Sequence, residues 1–63
     1  MLPFRIIHID ENASRTTFVI RLGGAPMVGD PLELPHGETV IVQHVSFTQR
    51  EDIAGIIVAG PAG

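Results

Sequence analysis

His8, His36 and His44 are the side chains of this sequence best fitted to chemistry, because imidazole exchanges a proton near neutrality and is the commonest metal ligand. Their spacing follows no metal pattern: there is no His-x-His, no HExxH and no segment that would present an i, i+4 pair on a helix. His36 is expected at a solvated hairpin tip. His8 and His44 are expected at strand ends, where a half-buried imidazole bonded to a backbone carbonyl is the ordinary outcome. His8 and His44 can meet only if the first strand neighbours the fourth, or across a symmetry axis. Two copies of His44 facing each other at such an axis would repel when protonated, and association would weaken in acid.

The carboxylates offer less. Asp10-Glu11 and Glu51-Asp52 are neighbours in loop-like segments, whereas acid–base chemistry with two carboxylates needs them to converge on one cleft from different elements. Ser14, Ser46 and the threonines lack a Gly-x-Ser-x-Gly elbow. Gly23-Gly24 has neither the lysine nor the following helix of a phosphate loop. The three Phe are dispersed singly, which suits core packing better than a stacking platform for bases. No catalytic, cofactor-binding or metal-ligating residue is therefore assigned, and no cofactor is expected.

The scaffold that must hold these residues is β-structure. Val and Ile outnumber Leu by fourteen to four, and branching at Cβ suits a pleated sheet. Seven Gly and five Pro punctuate the chain at short intervals, the pattern of short strands separated by turns. Five strands are expected: Pro3 to Ile9, Thr16 to Leu22, Leu32 to Leu34, Glu38 to Phe47 and Ile53 to Ala59. In the first, Phe4, Ile6 and His8 share a face; in the second, Phe18, Ile20 and Leu22 do, and that face is expected inside. Pro35-His36-Gly37 fits a three-residue hairpin loop closed by a glycine bulge, which sets Leu34 opposite Glu38 and Leu32 opposite Val40. A two-residue turn at His36-Gly37 would instead pair Leu32 with Ile41 and exchange the faces. Ser46 or Thr48 could cap a short 3-10 turn before the last strand. Gly55 suggests a bulge or a close backbone approach, and Gly60 to Gly63 a frayed end.

These elements make one domain over residues 1–63, all-β, expected as a small five-stranded antiparallel barrel. In strand number and spacing it resembles the plan of SH3-like small barrels more than that of OB-type barrels, whose connections are longer. The resemblance is one of plan, and plan does not carry function.

Composition narrows the partners. Four Arg, no Lys and seven acids give a net charge of −3, and the arginines are scattered, so nucleic-acid binding is not expected. The longest apolar stretch, Ile53 to Ala59, is far shorter than the ~20 residues of a membrane span. The N-terminal residues do not read as a signal peptide; with no cysteine in the chain, a cytoplasmic location is the expectation, and disulfides and thiolate zinc are excluded.

The fourth and fifth strands are apolar on both faces. Val40 and Val42 are expected to face one way, and Ile41, Val45 and Phe47 the other. A domain of this size holds only about 3–5 kcal/mol of net stability, while each large apolar side chain left wet forgoes about 1.5–3 kcal/mol. A second copy of the chain is the expected cover, or another protein. The expected function is thus a non-enzymatic assembly or protein-interaction module, self-associating through Val40, Ile41, Val45, Ile57 and Val58. Two other readings compete with it. One is a ligand-binding protein or enzyme whose site forms where subunits meet, drawing on His8, Arg21, Gln43 and His44. The other is an atypical nucleic-acid binder using the arginines.

Overall fold

The computed structural model describes residues 1–61. Strands β1 (Leu2–Ile9), β2 (Arg15–Leu22), β3 (Pro31–Glu33), β4 (Thr39–Phe47) and β5 (Gly55–Pro61) form one strongly curled sheet, a half-barrel, in the order β2-β1-β5-β4-β3. No helix among the described residues is long and apolar enough to cross a membrane.

Two features differ from the expected antiparallel barrel. First, β1 and β5 pair in parallel, Phe4 opposite Gly55 through His8 opposite Ala59. The reason is arithmetic of direction: strands that alternate up and down leave the first and fifth pointing the same way, so their pairing can only be parallel. Second, β2 and β3 are not hydrogen-bonded to each other, so the sheet stays open along that seam. The two sides still meet at one point, where the Phe18 and His36 rings lie 5.6 Å apart, tilted by 40°.

The concave face holds the core. Phe4 and Ile6 of β1, Leu32 of β3, Leu34 just after it, Val40 and Val42 of β4, and Ile57 and Ala59 of β5 are buried there, with Phe18, Ile20, Leu22 and Val45 packed against them. The alternation of Phe4, Ile6 and His8 on β1 is kept, because a pleated strand sends every second side chain the same way.

The β3–β4 hairpin takes the glycine-bulge form. Leu32 lies opposite Val40, the Leu34 N–H donates to the Glu38 carbonyl at 2.8 Å, and the Gly37 N–H donates to Leu34 at 2.9 Å. Gly37 has φ 96°, the left-handed conformation this loop requires.

Farther along β4 the expected alternation breaks. The register passes from Val42–Ala59 directly to His44–Val58, so Gln43 is the extra residue of a β-bulge. Everything beyond it changes phase: Val45, expected opposite to Val40 and Val42, joins them against the core, and Phe47 takes the same phase but remains 72% exposed at the strand end. Across the ladder Gly60 makes room, since a Cβ there would lie 2.1 Å from Gln43 Nε2.

The connection from β4 to β5 has bends in place of the expected 3-10 turn. It is closed by the Thr48 hydroxyl donating to the Ile53 carbonyl and by the Thr48 N–H donating to Ala54 at 3.2 Å. The last strand begins at Gly55, two residues later than expected, and runs through Gly60 and Pro61, which were expected to fray; Ala62 and Gly63 lie outside the described residues.

Within the same connection, Arg50 Nε and Nη2 donate to the two oxygens of Asp52 at 3.0 and 2.9 Å and hold its carboxyl below the usual carboxylate range. A lowered native pKa stabilises the fold above the unfolded value, and that contribution is lost as pH falls through the native one. Because the pair is solvated, its effect on stability is small. Arg50→Gln should raise the Asp52 titration midpoint in a carbon-detected NMR titration, with the melting temperature almost unmoved.

Candidate functional site

Strand alternation carries His8 inward behind Phe4 and Ile6, to the end of the half-barrel where β1 finishes. It is the buried polar residue of the concave face, 6% exposed. The β3–β4 hairpin brings two more polar groups to the same end. His36 sits in its loop, and Glu38 follows in the inward phase shared with Val40 and Val42. Glu38 stands between the two imidazoles: its Oε2 is 3.1 Å from His8 Nε2 and its Oε1 is 3.5 Å from His36 Nε2. The approach to His8 is close but does not have the geometry of a hydrogen bond, so His8 Nε2 is buried without a partner.

The loop after β1 completes the arrangement. Asp10 Oδ1 accepts from the N–H groups of Asn12 and Ser14, both at 2.9 Å. The Asp10 N–H donates to Ser14 O and the Ala13 N–H to Asp10 O, each at 3.0 Å. This tight turn holds Ala13 at φ 61°, a conformation costly for a residue with a Cβ. It folds the loop over the end of the sheet. His8, Asp10, Glu11, Asn12, Glu38 and Pro61 then line an open pocket of about 340 Å³. Three of the six are acids, and none is Arg or Lys. Among the described residues no three His, Cys, Asp or Glu side chains are disposed to hold a metal ion.

The four polar residues expected at a shared pocket are not together within one chain. His8 alone lines the concave end. Arg21 is exposed on β2 opposite Pro3. Gln43 occupies the bulge over Gly60. His44 is on the convex face opposite Val58, its Nε2 2.9 Å from Ser46 Oγ. Of the five residues expected at an interface, Val40 and Ile57 are 0% exposed within their own chain, and Val45 packs on the core. Ile41 and Val58 are half-buried on the convex face.

The sequence did not single out Glu38, Asp10 and Asn12 as neighbours of His8 in one pocket. One signal was present: an acid at position 38 continues the inward phase of Val40 and Val42, which is unusual at the mouth of an apolar interior. No protein-family model matches the chain, and neither does any curated protein or solved structure.

Proposed function

We propose that the chain is a non-enzymatic assembly module that self-associates through the convex face of its half-barrel. The observation that carries this is the apolar centre of that face. Ile7 of β1 lies opposite Val58 of β5, Ile56 and Ile9 lie one step along the same strands, and Ile41 of β4 lies opposite Gly60. All five are half-buried, held only by their in-sheet neighbours, and the described strands make a single layer. Val19, 59% exposed on β2, lies beyond Arg5, its partner on β1. The contacts expected of Val40, Val45 and Ile57 pass to Ile7, Ile9 and Ile56, while Ile41 and Val58 keep theirs.

A second copy is the occupant that fits this surface best. The cluster of Ile7, Ile9, Ile41, Ile56 and Val58 is β-branched throughout, with His44 and Ser46 beside it on β4 and the half-buried Arg5 standing between Ile56 and Val19. Such a composition suits a self-complementary contact about a two-fold axis. The size of the chain supports the same reading, because little stability is available to a domain this small without association.

Light scattering coupled to gel filtration tests it. The native chain should run as a dimer or larger species at micromolar concentration. Val58→Asp should weaken association at least about tenfold, since one desolvated carboxylate outweighs the roughly 1.5–3 kcal/mol its valine contributed. The variant should keep the native circular-dichroism spectrum. A native chain that stays monomeric to the millimolar range ends the proposal.

A further inference from the structure

We propose that the concave end of the half-barrel, at His8 and Glu38, is a binding site for a primary ammonium group on a small aliphatic body. This is independent of self-association, which uses the opposite face of the sheet.

Three observations converge on this site. His8 is more than nine-tenths buried, yet its Nε2 has no hydrogen-bond partner, and buried polar nitrogens are ordinarily satisfied by protein, water or ligand. The pocket His8 lines is open and about 340 Å³, large enough for a molecule of several non-hydrogen atoms. The remaining walls are acidic: Glu38, Asp10 and Glu11, with Asn12 beside them and Pro61 as the apolar side.

The donor–acceptor arithmetic selects the ligand. An ammonium group carries three donors and no acceptor. With its proton on Nδ1, the His8 ring offers the Nε2 lone pair as an acceptor. Glu38 Oε2, 3.1 Å away, is close enough for one nitrogen to reach both. Asp10 lines the same pocket; its Oδ1 is engaged by the N–H groups of Asn12 and Ser14, which fixes the carboxylate there as a negative charge, and the remaining ammonium donor is left to water. The positive charge is matched by the three acids, and the chain places no arginine in the wall to compete. A metal ion fits less well, because such sites draw on three or four protein ligands and no group of three is so disposed among the described residues.

His36 acts here as a positioning residue. Its ring rests against Phe18, and its Nε2, 3.5 Å from Glu38 Oε1, steadies the carboxylate from the side away from His8.

The ammonium group can belong to a free amine or to a lysine side chain, and the test separates them. Histidine-selective NMR on the full chain is followed during titration with 1-aminobutane, 1,4-diaminobutane, N-acetyl-lysine amide, butylguanidinium and, in a separate arm, zinc chloride, all at constant ionic strength. The amines should shift the His8 ring signals saturably, with little change at His44. The ¹⁵N shifts of the His8 ring should report Nε2 as the accepting nitrogen in the amine-bound state. Stronger binding of the free amines than of the lysine derivative identifies a small-molecule site, and the reverse a peptide site; both uphold the ammonium chemistry. Glu38→Gln, at a half-exposed position that should leave the fold intact, should weaken binding about tenfold. His8→Gln is the second variant and should abolish saturation. The proposal is overturned if the amines give no saturable shift, if Glu38→Gln binds them as the native chain does, or if only zinc binds.

Discussion

Ile57→Ala should leave the protein largely unfolded at 37 °C. Ile57 is the midpoint of the sheet, with Ile6 opposite it on β1 and Val45 opposite it on β4, and it is 0% exposed. Removing a buried branched side chain costs about 2–5 kcal/mol, because the transfer energy is lost and the cavity only partly collapses. A domain of this size has about 3–5 kcal/mol to lose. Each kcal/mol moves the midpoint of so short a chain by about 4–8 °C, so thermal melting followed by circular dichroism should show a fall of at least roughly 10 °C. Ile57→Val, which keeps the branch, should cost only about 0.5–1.5 kcal/mol. A Val58→Ala change one residue away should do less than Ile57→Ala, since Val58 lies on the convex face. Equal effects at 57 and 58 would place the core on the wrong side of β5.

Gly55→Ala should be nearly as damaging, whereas Gly60→Ala in the same strand should be almost silent. A Cβ on Gly55 would stand 2.6 Å from the Ser46 carbonyl oxygen and 3.0 Å from Phe4 Cε2. Neither neighbour can retreat. The carbonyl belongs to the β4 ladder beside β5, and Phe4 is 1% exposed in the core. Overpacking of this kind costs about 1–3 kcal/mol and occasionally more, and here it also strains the backbone pairing. At Gly60 the obstacle is nominally worse, 2.1 Å, but it is the amide nitrogen of Gln43. That side chain is exposed and flexible and can swing into solvent. Urea denaturation of both variants decides the matter: a shift in midpoint at position 60 as large as that at 55 would show that the Gln43 bulge is rigid.

What the sequence made legible was local. Pro35 and Gly37 narrowed the hairpin to two loop forms, of which the structure takes the glycine-bulge form that sets Leu32 opposite Val40. That Phe4, Ile6 and His8 share a face followed from simple alternation; that this face is the inner one did not. Nor did the Gln43 bulge, since a polar residue in β4 reads equally well as an outward position in an unbroken strand. That one slip changed the face of Val45. Val40 and Ile57 looked like surface candidates because both neighbouring phases of their strands are apolar, and alternation alone does not say which phase is inside. The pairing of His8 with Glu38 was hidden for a related reason. It depends on where β1 stands relative to the hairpin, which β5 decides by lying between β1 and β4.

The open seam between β2 and β3 has a consequence for how the molecule is held together. The segment from Gly23 to Val28 joins two strands that share no ladder, and Gly29 and Asp30 after it are already bonded to Val42 of β4, so covalently it serves as a tether. The β1–β2 portion and the β3–β4–β5 portion are married instead by the parallel β1–β5 zipper and the side chains enclosed beneath it. In physical terms the chain is a pair of complementary fragments that happen to be written on one polypeptide.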